Sequence, residues 1–63
     1  MMLPPRRQEI LQALSEGLSN REIGLRLGIS EETVKTHMRK LLDTYAARNR
    51  THLVAIFQKD FQR

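Results

Sequence analysis

SNREIGLRLGISEETVKTHMRKLL, residues 19–42, decides how this chain folds. Ser19 and Glu22 stand three apart just before an apolar pattern. That is the spacing of a capping box, in which each side chain satisfies the other's free backbone N–H at a helix start. Ile23 and Leu27, four apart, give the helix that follows one inward stripe. Gly28 stops it, because glycine readily takes the left-handed conformation that closes a helix. Only Ile29 separates that glycine from Ser30, the next capping residue. Glu31 and Glu32 then fill a first turn, where the helix dipole favours negative charge. Val34, Met38, Leu41 and Tyr45 follow at i, i+4, i+7 and i+11, a long core stripe. Two helices joined by about three residues, with a glycine among them, form a helix-turn-helix unit, here over about 19–45. Ile29 is expected to bury in the corner, with Val34 packing back on Ile23 and Leu27. Gly24 falls where the two helices would cross closely, which justifies the roughly 1 kcal/mol that glycine costs relative to alanine in a helix.

Working outward, Pro4 and Pro5 set the start of a first helix, since proline fits only a first turn. Ile10, Leu11 and Leu14 line one face of it, Ala13 lies beside them, and Gly17 ends it. On the other side, Arg48-Asn49-Arg50 breaks the apolar pattern, with Asn49 as a cap. A last helix carries Leu53, Val54, Phe57 and Phe61 on one side and Ile56 at its flank. Nothing alternates with the period of a strand. The fold class is therefore all-α, four helices over about 4–16, 20–27, 31–45 and 50–61, in a single domain spanning residues 1–63. There is no cysteine, so neither a disulfide nor a thiolate metal site can reinforce it. A core of this size supplies only roughly 3–5 kcal/mol of net stability.

Charge narrows the function. Eleven Lys and Arg against seven Asp and Glu leave a net charge of +4, and the pI is near 10.4. Such a surplus on a small domain suits a polyanion. No apolar run approaches the ~20 residues of a membrane span, and the opening residues do not read as a secretory leader, so a cytoplasmic domain is expected. On the third helix, Lys35, Thr36, Arg39 and Asp43 point away from the core stripe, with Lys40 at the edge. Lys35 and Arg39, four apart, lie one above the other. The same residues would suit an ordinary solvated face. On the second helix of a capped pair, however, they form a surface that can enter a major groove. There Arg and Lys donate to guanine O6 and N7, and the Thr methyl meets a thymine methyl.

Catalysis is not expected, and neither is a cofactor or a metal. His37 and His52 are the only histidines, and on separate helices they make no recognisable zinc pair. His37 lies at the edge of the core face, as a packed or phosphate-facing group. Ser15, Ser19 and Ser30 read as helix-end residues, and there is no glycine-rich phosphate loop. Tyr45, Phe57 and Phe61 are the only aromatics, too few for a single-strand stacking platform.

At this level of detail the chain resembles the C-terminal DNA-binding domain of LuxR-type (GerE-type) bacterial regulators. The matching residues are Leu3 with Pro5-Arg6, EGLSNREIGLRLGIS over 16–30, TVKTH over 33–37 and RNRT over 48–51. The resemblance implies a four-helix domain with Lys35, Thr36 and Arg39 at base edges of double-stranded DNA. It places Asn20, Arg21, Thr33, His37, Arg50 and Thr51 at the sugar–phosphate backbone, and Lys40 is grouped with these. It implies a bacterial, cytoplasmic protein acting at the nucleoid, with an N-terminal signal-sensing domain outside this chain and RNA polymerase as a further partner. It also implies a weak homodimer through the fourth helix. The core has room for one stripe, that of Leu53, Phe57 and Phe61, so Val54 or Ile56 is expected outside it as the dimer contact. Three departures stand out. Pro4 replaces a capping threonine, Arg7 a common glutamate, and Thr44-Tyr45-Ala46-Ala47 a stretch typically reading Lys-Leu-Gly-Val. Without that glycine the third helix is expected to run on further.

Two other readings use the same residues. Region 4 of a sigma factor shares the Leu3-Pro4-Pro5-Arg6 start, EGLS and a TVK recognition helix. His37 and the whole fourth helix count against it. A helix-turn-helix module that pairs with another protein and no longer reads DNA is the other, and the intact basic outer face counts against that.

Overall fold

The computed structural model describes residues 5–61, with side chains described to residue 59. Four helices follow one another, α1 Pro5–Ser15, α2 Asn20–Leu27, α3 Glu31–Thr44 and α4 Arg50–Phe61. No strand occurs among the described residues. The expected ends of α2 and α4 are met, and α1 stops one residue early. Its expected start at Pro4 lies outside the described residues.

The starts of α2, α3 and α4 have the caps their sequence calls for. Ser19 Oγ accepts from Glu22 N–H at 3.2 Å, and Glu22 Oε1 accepts from Ser19 N–H at 2.8 Å, which completes the capping box. Ser30 Oγ accepts from Thr33 N–H at 3.0 Å to open α3. Asn49 Oδ1 accepts from His52 N–H at 2.9 Å to open α4, while His52 Nδ1 accepts from Arg48 N–H at 3.0 Å.

Three closures share one backbone form. α1 ends at Gly17, α2 at Gly28 with φ +72°, and α3 at Ala46 with φ +52°. After α3, Ala47 N–H donates to Leu42 C=O at 2.9 Å and Ala46 N–H to Asp43 C=O at 3.2 Å. This is the double bond of a Schellman closure, made here with an alanine. The third helix therefore does not run on past residue 45, as the missing glycine led one to expect; it stops at Thr44, with Tyr45 as its cap. The reason lies beyond the turn. Ala47 packs on the core and Leu53 is fully buried in it, and α4 reaches that place only if the chain reverses at Ala46.

The core is Ile10, Leu11, Ala13 and Leu14 of α1, Ile23 of α2, Val34, Met38 and Leu41 of α3, and Leu53 of α4. Each stripe read from the sequence thus turns inward, and α1 packs against all three other helices. Tyr45 and Phe57 are half-buried against this core, and the side chain of Phe61 lies outside the described residues. At the α2–α3 crossing, a Cβ built on Gly24 would come within 2.7 Å of the Ile29 carbonyl oxygen. The glycine is thus where two backbones meet.

Two arginines on α1 and α2 tie down the pair's outer edge. Arg26 Nη1 lies 2.8 Å from Glu16 Oε1, and this bond, ahead of one from Gln12, pulls the Glu16 carboxyl below its ordinary value. Arg6 Nη1 donates to Leu27 C=O at 3.4 Å, placing positive charge at the negative end of α2.

Candidate nucleic-acid interface

The α2–α3 corner aims α3. With Ser30 capping its start, Val34, Met38 and Leu41 face inward and leave Lys35, Thr36, Arg39 and Lys40 exposed on the other side. Lys35 Nζ lies 3.4 Å from Glu32 Oε1, one turn back, in a half-exposed pair. An exposed pair of this kind contributes about 0–1 kcal/mol, so Lys35 leaves it readily. Thr36 Oγ1 donates to Glu32 C=O at 3.1 Å, which orients its methyl group. Among the described residues, the side chains of Arg39 and Lys40 have no hydrogen-bond or ion-pair partner, and the same holds for that of exposed Arg21 at the start of α2.

The residues grouped as backbone contacts come from three helices, α2, α3 and α4. Thr33 sits at the first turn of α3, its hydroxyl 2.9 Å from that of Ser30. Asn20 and Arg50, 30 residues apart in the chain, come together, with Arg50 Nη1 donating to Asn20 Oδ1 at 2.7 Å. Arg50 Nη2 also donates to Leu18 C=O, so this side chain pins α4 to the start of α2. Arginine has five N–H donors, and the others stay available. Thr51 is exposed beside it.

His37 lies half-buried on the flank of α3, and its Nδ1 is sealed from solvent without a hydrogen-bond partner. Burial lowers its pKa from the ordinary 6.5, and the charges of Arg7, Lys40 and Arg6 lower it further, so the ring is neutral. The effect of Arg6 and Arg7 on this ring carries no signal in sequence, since it depends on how α1 packs against α3. The hold of Glu32 on Lys35 was legible, being an i, i+3 pair of opposite charge.

Away from α3, the two residues expected at a dimer contact differ. Val54 is half-buried and packs against the core. Ile56 is equally half-buried but makes no part of that packing. Leu25 on α2 is 75% exposed, the one large apolar side chain left so open among the described residues. No group of three or more His, Cys, Asp or Glu that could hold a metal ion occurs among the described residues. No helix among them is long and apolar enough to cross a membrane.

The family model for bacterial regulatory proteins of the luxR family matches residues 1–57, from before α1 into α4. The chain belongs to the luxR family. It is thus a DNA-binding helix-turn-helix domain of transcription regulation, and this membership favours that reading over a sigma-factor or protein-pairing module. Among LuxR-type relatives, the CsgBAC operon transcriptional regulatory protein of Escherichia coli is 48% identical over 54 residues, covering 86% of this chain and 25% of that protein. The nitrate/nitrite response regulator protein NarP of Escherichia coli is 41% identical over 56 residues, covering 89% of this chain and 26% of that protein. The transcriptional regulatory protein DegU of Brevibacillus brevis is 43% identical over 53 residues, covering 84% of this chain and 22% of that protein. The LuxR-type domain described here spans about a quarter of the length of these relatives.

Proposed function

We propose that residues 1–63 act as one DNA-reading module in which α3 enters the major groove of duplex DNA. Lys35, Thr36 and Arg39 meet base edges. Asn20, Arg21, Thr33, His37, Lys40, Arg50 and Thr51 meet the sugar–phosphate backbone and set the register without carrying sequence information. The observation that supports this most is the exposed Lys35–Thr36–Arg39 face on the capped second helix of a closed helix-turn-helix pair. The module acts within a longer bacterial regulator, at the nucleoid, with a signal-sensing region elsewhere in that protein and RNA polymerase as the target of regulation. On two half-sites about one DNA turn apart, two copies meet through α4. Ile56, outside the core packing, is the better-placed contact of the two residues named for it, and Val54 completes the patch from the core side.

The test is selection of preferred sites from random duplex DNA, followed by titration of variants. Lys35→Ala and Arg39→Ala are expected to lose about 1–3 kcal/mol on the selected site and to relax discrimination at one position each. Arg21→Ala is expected to weaken all sequences alike. With about five or six phosphate contacts, the log–log salt slope should be near −5. Uniform loss across sequences in the α3 variants would remove Lys35 and Arg39 from the base edges.

A further inference from the structure

We propose that Arg50 is a positioning residue for DNA binding: it holds the side-chain oxygen of Asn20, which leaves Asn20 Nδ2 as an aimed donor for one backbone phosphate. This rests on the reading that Asn20 meets the sugar–phosphate backbone of duplex DNA, and it assigns the donating atom and the residue that aims it.

The Arg50 guanidinium is held at two points, on either side of Ser19, the cap of α2. Nη1 donates to Asn20 Oδ1 at 2.7 Å, and Nη2 donates to the Leu18 carbonyl. Leu18, Asn20 and Arg50 are all half-buried, so this bridge is partly shielded from competing water. Arginine has donors and no acceptor, and the atom of the Asn20 amide that meets it is therefore the oxygen. The planar amide then turns its nitrogen away from the guanidinium. Among the described residues Asn20 Nδ2 has no hydrogen-bond partner, yet it is not one of the side-chain nitrogens sealed from solvent. It is a donor fixed by its neighbour and open to an acceptor from outside the domain. Two of the five Arg50 N–H groups thus serve Leu18 and Asn20 rather than DNA.

The surroundings suit an anionic oxygen. Asn20 is the first residue of α2, where the helix dipole is positive, and exposed Arg21 follows it. Glu22, the acid of that turn, is folded back onto the Ser19 N–H at 2.8 Å. Arg50 is itself the first residue of α4, whose Leu53 is fully buried in the core. Seating α4 therefore also aims Asn20, and the fourth helix contributes to DNA binding through a residue of the second.

The experiment replaces each phosphate of the selected duplex in turn by methylphosphonate. Affinity is measured for the unmodified chain, Asn20→Ala, Asn20→Asp and Arg50→Met, with thermal unfolding followed in parallel. The unmodified chain is expected to lose roughly tenfold at one phosphate, ordinary for a hydrogen bond to a charged group. Asn20→Ala should lose its sensitivity at that phosphate with Arg50 still in place, and keep its salt slope because asparagine has no charge. Asn20→Asp still accepts from Arg50, so its unfolding temperature should not fall, but it has no donor and repels the phosphate. It should bind better, not worse, when that one phosphate is neutralised. Arg50→Met should lose sensitivity at the same phosphate although Asn20 is present. A folded Arg50→Met chain that keeps this sensitivity overturns the positioning role. An Asn20→Ala chain as sensitive as the unmodified one at every phosphate overturns it too, whether or not Arg50→Met folds, and leaves the α3 groove reading intact. If the unmodified chain shows no preference among duplexes, the groove reading fails and the positioning role with it.

Discussion

The corner between α2 and α3 and the corner between α3 and α4 reverse the chain with the same left-handed step. At the first the residue is Gly28, with φ +72°, and at the second Ala46, with φ +52°. The caps and turn of the first corner lie within or next to it: Ser19 and Glu22 open α2, Gly28 closes it, Ser30 opens α3, and Gly24 lets the backbones approach. The second corner has an alanine in a conformation that costs an L-residue roughly 1–2 kcal/mol. Contacts made after the turn offset that cost. Leu53 is buried completely, Ala47 packs on the core, and Arg50 bonds across to Leu18 and Asn20. The DNA-reading unit thus takes its shape from local chemistry, whereas α4 is held in place from a distance.

Removing the distant hold should have the largest effect. Leu53→Ala deletes a fully buried side chain, which costs about 2–5 kcal/mol, against a net stability of roughly 3–5 kcal/mol for a domain this small. Far-ultraviolet circular dichroism through a urea titration should show a largely unfolded chain at room temperature. Retention of wild-type stability would mean that the second corner closes without help from α4.

Next in size is Gly28→Ala, which puts at the first corner the strain the second already carries. Nothing crowds a Cβ there, so the loss should be the conformational cost alone, about 1 kcal/mol, read as a lower urea midpoint. A larger loss would point to crowding at the turn that the native backbone does not show.

The reciprocal change, Ala46→Gly, should stabilise the domain. Relief of the left-handed alanine outweighs the added freedom of the unfolded chain, leaving a gain of about 0.5–1 kcal/mol. No gain, or a loss, would show that Ala46 sits in its conformation without strain.

The smallest effect is a pH dependence that comes from His37 on the flank of α3. His37 has a pKa below 6.5 in the folded domain, through burial first and then Arg7, Lys40 and Arg6. As pH falls, the unfolded chain takes up this proton before the folded one. Stability contributed here is therefore whole above pH 6.5 and lost as pH drops from there toward the lower folded value. His37→Gln should flatten that step in urea midpoints taken from pH 7.5 to 5.5. Glu16 and Glu22, whose pKa values are lowered by Arg26 and by the Ser19 N–H respectively, lose their contributions only below 4.5. An equal acid loss with and without His37 would assign the step to another group.

Sequence by itself determined the four helices, their starts and most of their inward faces, because caps and the 3.6-residue period act over a few residues. Ser19 with Glu22, Gly28, Ser30 and Asn49 announce their own roles, and the outward set of Lys35, Thr36 and Arg39 follows from the inward set by geometry. Tertiary structure alone decided where α3 stops. Four helix-tolerant residues, Thr44 to Ala47, carry no stop signal, and the reversal at Ala46 comes from burying Leu53. It also decided that Arg50 bonds to Asn20 and that Val54 rather than Ile56 joins the core packing. Each of these joins residues distant in the chain, and only the packing of helix on helix brings such residues within reach.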